Sequence, residues 1–168
     1  MRTITKPSAR ELITRLSLAA AANPLDFRAA ILARHAQHPV IVHFPIALFL
    51  SSAIFEIIAL WRKQPTFASV AYFNLLGAAV SIPFTIASGL VAWQWQFEGA
   101  TLKGNLLIHV AFAISTAAII LLLCWRRYRL RMKGQSPRIG YFAMMAVGLM
   151  LITITGHLGG ILSGVEAP

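Results

Sequence analysis

Four long stretches of this chain, Pro39–Trp61, Ala68–Trp95, Leu106–Trp125 and Ile139–Leu162, contain none of its 15 Lys and Arg residues. Each is about 20 residues or more, enough for a helix rising 1.5 Å per residue to cross a hydrocarbon core of ~30 Å. A single acid, Glu56, falls inside them. Only 12% of the 168 residues are charged and 58% are hydrophobic, against roughly 25% and 45–50% in soluble folds. A soluble domain built this way would lack the polar surface to cover its core, and a disordered chain would not be so apolar. The expected fold is all-α and integral to the membrane: a four-transmembrane-helix up-down bundle.

Residues 1–38 read as a basic, interfacial or helical N-terminal tail, and 39–164 as the membrane domain. No length remains for a second domain. Ser8-Ala9-Arg10-Glu11 has the pattern of a capping box, and Asn23-Pro24 places an N-cap before a proline at a first helical position. The apolar stretch Leu16–Ala22 is short, and Arg10, Glu11 and Arg15 break up the region before it, which argues against a cleaved leader. The one cysteine, Cys124, rules out an internal disulfide and reads as a small packing residue.

The net charge of +10 suggests nucleic acid until the cations are located. Arg62 and Lys63 fill the first connection, and Arg126, Arg127, Arg129, Arg131, Lys133 and Arg138 the third. Lys103, Arg28 and Arg34 are the cations near span ends on the other side. The positive-inside rule then predicts cytoplasmic first and third connections and periplasmic termini, in a bacterial inner membrane. Cations alternating with aromatics beside a span end fit anionic headgroups, so the lipid bilayer is the expected partner and nucleic acid is not.

Polar groups inside spans usually face the bundle interior. His43 and His109 lie early in the first and third runs, and His157 lies late in the fourth. At 1.5 Å per residue all three sit roughly 6–8 Å inside one membrane face, with His38 just above. Three helices bringing imidazoles to one depth predict a bound redox centre or metal. A four-helix bundle holding a macrocycle between imidazoles of facing helices is the usual arrangement of haem b. His43 with His109 is the expected ligand pair, because first and third helices lie diagonally. His157 is the third candidate, as a ligand or a propionate partner. Gly160, on the His157 face, and Ser88-Gly89 with Trp93 on the second span offer small residues and a wall for such a pocket.

A metal site at His43, His109 and His157 is the alternative, since neutral imidazoles suit copper or zinc and Glu98 would add an oxygen. Met144, Met145 and Met150 read as core fillers. Glu56 lies about 20 Å along the helix from His43, in the opposite half. It reads either as snorkelling toward Arg62 or Arg126–Arg127, or as a proton-relay or quinone-pocket carboxylate. No Ser/His/Asp set, phosphate loop or paired carboxylates are present, so a redox carrier subunit is expected rather than a standalone enzyme.

The segment His38–Pro45, H-P-V-I-V-H-F-P, continued by Ile46-Ala47-Leu48, resembles the signature of the uncharacterised bacterial membrane family called domain of unknown function 2231. Further matches are Glu56, Ser88 to Leu90, His109 and the glycines Gly156 to Gly160. The resemblance covers about residues 38–164 and implies four spans. For function it implies an association with respiratory or haem-containing systems. The expected role is a membrane electron-transfer subunit passing electrons from a periplasmic dehydrogenase or cytochrome c to quinone or a partner subunit, as a hetero- or homo-oligomer. A non-redox scaffold or metal-handling subunit is the competing expectation. Pro45 leaves two local structures open: a helix beginning near Phe44, with His43 at its mouth, or one running from Pro39 through the proline.

Overall fold

A computed structural model describes residues 37–96, 98–99 and 101–164. The readings made on the tail, including its two short helices and Arg28, Arg34 and Leu16–Ala22, lie outside the described residues. Four helices follow one another: α1 (Gln37–Arg62), α2 (Pro65–Gln96), α3 (Gly104–Met132) and α4 (Ile139–Leu162). All four are long and apolar enough to span a bilayer. Each packs against its chain neighbour, and α1 also meets α4, which closes the ring. α1 therefore lies diagonally across from α3.

The connections carry the chemistry needed to reverse direction. Lys63 takes a left-handed conformation, φ 53°, and Pro65 opens α2 where its missing N–H costs nothing. α3 ends in a Schellman turn: Gly134 N donates to the Arg131 carbonyl at 3.1 Å and Gln135 N to that of Leu130 at 2.9 Å. Gly134 sits at φ 62°, which a side chain would resist. α1 begins at Gln37 and runs through Pro45, so the second of the two readings of Pro45 holds.

The core is a set of stripes spaced alternately three and four residues apart. On α1 the inward positions are Pro45, Phe49, Ser52 and Glu56; on α2, Ala71, Leu75, Ala78 and Ile82. On α3 they are Thr116, Ile120, Leu123 and Arg127; on α4, Tyr141, Met145 and Gly148. Such spacing keeps one seam facing the partners along a whole helix. Small residues let backbones approach, as membrane helices require. At Gly148 a Cβ would stand 2.9 Å from Phe49 Cζ and 3.0 Å from Ile119 Cγ2, so only glycine admits the Phe49 ring against α4.

The outer faces are apolar. Phe44, Ile57, Phe84, Ile114 and Met150 are all exposed, an arrangement that lipid satisfies and water does not. Trp61 and Trp125 stand exposed at one end of the bundle and Trp95 at the other, the usual placement of interfacial aromatics. Hydroxyls inside the spans find partners. Ser81, Thr85, Ser115 and Thr153 donate back to carbonyls of their own helices. Ser52 Oγ crosses from α1 to the Ala71 carbonyl of α2 at 2.9 Å.

Candidate functional site

Continued to the helix ends, the same spacing brings polar groups onto the α1–α3 diagonal at both ends of the bundle. At one end α1 delivers His38, seven residues before Pro45, and α3 delivers His109, seven before Thr116. Two helical turns separate each histidine from its buried neighbour, so both rings turn inward. They are half-buried and close enough to interact electrostatically.

Each ring rests on a glycine of an adjacent helix. A Cβ at Gly89 of α2 would lie 3.1 Å from His38 Cε1, and one at Gly159 of α4 would lie 3.4 Å from His109 Cε1. Ser88 fixes the His38 ring through an Oγ···Nδ1 contact of 2.8 Å. Its own hydrogen is already donated to the Thr85 carbonyl, 2.9 Å away. A hydroxyl has one hydrogen, so Ser88 accepts here and His38 Nδ1 donates. In the neutral ring the lone pair then belongs to Nε2, the nitrogen available to a ligand. His109 lies beside the Thr155 backbone, yet its Nδ1 is buried without a hydrogen bond of ordinary geometry. Below it, Thr116 and Thr155 hydroxyls meet at 3.1 Å and pin α3 to α4.

The other predicted site residues fall elsewhere. His43 is exposed, and its Nδ1 donates at 2.5 Å to the Pro39 carbonyl one turn back. His157 is also exposed, on the outer face of α4. The reason is azimuth. Successive residues turn by about 100°, so His43 lies roughly 140° around α1 from His38, and His157 roughly 160° around α4 from Gly159. Matched depth does not bring such residues together. The expected cluster of His43, His109 and His157 is not formed: among the described residues no three His, Cys, Asp or Glu side chains assemble for a metal. Gly160 is half-buried, one position beyond the glycine that touches His109. Trp93 is half-buried near the end of α2, where its carbonyl accepts a bond from Gly99 N at 3.3 Å. Glu98 is exposed in the following turn.

At the opposite end Glu56 of α1 meets Arg127 of α3. Arg127 Nε stands 2.5 Å from Glu56 Oε1, with both side chains nearly buried, 7% and 3% exposed. Arg127 Nη2 also donates to the Ala68 carbonyl of α2, at 3.4 Å. The buried Tyr141 hydroxyl of α4 lies within electrostatic reach of the pair but makes no hydrogen bond of ordinary geometry. One ion pair thus involves all four helices. Of the partners weighed for Glu56, Arg127 is the one it finds, and it is held in place rather than snorkelling to water.

A family model described as a predicted membrane protein, DUF2231, matches residues 34–166. The chain belongs to the DUF2231 family. No curated protein and no solved structure matches it. It is accordingly a multi-pass membrane protein whose medium is the lipid bilayer. In this DUF2231 protein the H-P-V-I-V-H-F-P motif supplies two histidines to two faces of α1, and only His38 looks into the bundle. Gly159 and Tyr141 carry more of the two polar ends than charge or hydropathy suggested. The three–four phase of α4, from Tyr141 through Met145 and Gly148 to Gly159, is the signal that marks both.

Proposed function

We propose that the chain is a membrane electron-transfer subunit that binds a b-type haem through His38 and His109. The observation carrying this reading is the diagonal pair itself: two inward imidazoles, each against a glycine. His38 has its Nδ1 engaged by Ser88, which leaves the lone pair on Nε2, and the His109 Nδ1 is buried beside the Thr155 backbone without a hydrogen bond of ordinary geometry among the described residues. Two neutral imidazoles from facing helices are a donor set that would suit haem iron. The group would supply a one-electron redox couple. The protein's part is to orient the His38 ring through Ser88, keep ring-facing backbone bare at Gly89 and Gly159, and exclude water with an apolar exterior. Electrons would pass between a periplasmic donor, such as a dehydrogenase or cytochrome c, and quinone or a partner subunit.

A reduced-minus-oxidised spectrum of detergent-purified protein, expressed with ample haem, tests this directly. A Soret shift and an α-band are expected. Their absence would overturn haem binding. Stoichiometric copper or zinc in their place would transfer the histidine pair to metal handling, and neither would leave a scaffold.

The sidedness of this reading rests on charge. Arg62, Lys63 and the six cations from Arg126 to Arg138 all lie at the Glu56–Arg127 end. Apart from Arg127, which is buried against Glu56, each is worth ~1 kcal/mol near an anionic cytoplasmic leaflet. The histidine pair would then face the periplasm of a bacterial inner membrane, with both termini on that side. Thr101→Cys and Ser136→Cys, each in a Cys124→Ser background, report this with an impermeant thiol reagent on intact cells. Labelling at 101 and protection at 136 is expected; the reverse pattern would move the histidine pair to the cytoplasmic face.

A further inference from the structure

The last two turns of α3 divide their cations between two faces. Arg127 and Arg131, four residues apart, turn toward the bundle. Arg127 holds Glu56, while Arg131 Nη1 donates to Ser69 Oγ at 3.3 Å and its guanidinium lies over the Tyr72 and Phe73 rings, at 5.0 and 5.8 Å. Arg126, Arg129 and Lys133 occupy the other face at spacings of three, four and seven, which places them side by side. With Trp125, Leu130 and Gln135 they line an open cleft of about 220 Å³.

Nothing among the described residues neutralises this cleft. The acids there are Glu56, which is paired with Arg127, and Glu98, at the opposite end of the bundle. Helix capping does not consume the cations either, because the Schellman turn satisfies the Leu130 and Arg131 carbonyls with backbone N–H groups. The Arg129 guanidinium lies over the Trp125 ring, 5.7 Å from its centre, a cation–π contact that reduces the freedom of its fork. Depth supplies the remaining argument. α3 has 29 residues, a length of about 43 Å against a hydrocarbon core of ~30 Å. Its apolar run ends at Trp125, an interfacial residue type, so the cleft falls at headgroup level.

We propose that this cleft is a discrete binding site for an anionic phospholipid. Arg126 and Arg129 would take the phosphate and Lys133 would add a third positive contact. Trp125 and Leu130 would pack on the glycerol and upper acyl chain. Guanidinium forks match phosphate oxygens in pairs, which a lysine ammonium does not. The site is therefore more than a basic surface attracted to a charged leaflet.

Native mass spectrometry of the full chain in detergent, with added phosphatidylglycerol or phosphatidylcholine, reads this. One phosphatidylglycerol should stay bound at concentrations where phosphatidylcholine does not. Arg126→Gln/Arg129→Gln/Lys133→Gln should weaken retention about a hundredfold, from roughly fivefold per cation. Arg126→Lys/Arg129→Lys keeps the charge and the fold, yet should still weaken retention about tenfold if forked contacts matter. Arg138→Gln, outside the cleft, should change it less than twofold. Equal retention of the two lipids would overturn the site, as would full retention by the triple variant or by the lysine variant. Inorganic phosphate at millimolar concentration should not displace the lipid; full displacement would overturn the assignment to a lipid.

Discussion

Arg127→Leu should lower the unfolding free energy by about 3–5 kcal/mol, because it leaves the Glu56 carboxylate buried without its countercharge. The same change strips the Ala68 carbonyl of a donor and detaches α3 from the first turn of α2. Exposed Arg126, one residue earlier, offers the internal control: Arg126→Leu should stay within about 0.5 kcal/mol. Removing both charges should be far milder than removing one. Glu56→Leu/Arg127→Met fills similar volume with apolar atoms and should fall within about 1 kcal/mol of the parent, since a buried pair contributes little beyond its own desolvation. Denaturant titration in detergent, followed by helical circular dichroism, gives the three values. An Arg127→Leu cost no larger than that of Arg126→Leu would show that the pair does not tie the bundle. A double variant as unstable as the single one would show that α3 needs Arg127 for its Ala68 contact rather than for Glu56.

That pair also shows what the sequence could and could not reveal. The spans were legible because hydrocarbon imposes a composition: α1, α2 and α4 begin and end within about three residues of their apolar runs. α3 is different. Its apolar run stops at Trp125, but the helix continues to Met132, since Arg, Leu and Met are good helix formers and the headgroup layer tolerates charge. Depth was legible too, because 1.5 Å per residue is a fixed rise. Azimuth depends on where each helix begins: His43 and His109 share a depth, whereas His38 and His109 share an interior. Choosing between His38 and His43 required knowing that α1 starts at Gln37 and passes through Pro45. Once that helix is granted, the steps from His38 to Pro45, Phe49, Ser52 and Glu56 mark the inward face. The family signature places two histidines on different faces of α1 while leaving open which of them faces inward.

Replacing the four histidines singly therefore distinguishes the two pairs. On the proposed role, His38→Ala and His109→Ala should each cut haem retention by tenfold or more, since each would remove one of the two imidazoles that would hold the iron. His43→Ala and His157→Ala should retain most of it, because both side chains are exposed on outer faces. The measurement is the pyridine haemochrome content per mole of purified protein, with helical circular dichroism confirming that each variant is folded. Imidazole added to the His38→Ala protein should restore part of the low-spin spectrum by occupying the vacated coordination position, an effect that a purely structural histidine would not produce. Gly159→Leu provides a route that leaves both imidazoles in the chain. Its Cβ alone would already be in contact with the ring, 3.4 Å from His109 Cε1, so the further atoms of leucine should crowd that ring and lower haem content. Loss of haem in His43→Ala with retention in His38→Ala would restore the pair expected from depth. It would also mean that α1 turns on its axis by roughly 140° when the cofactor binds.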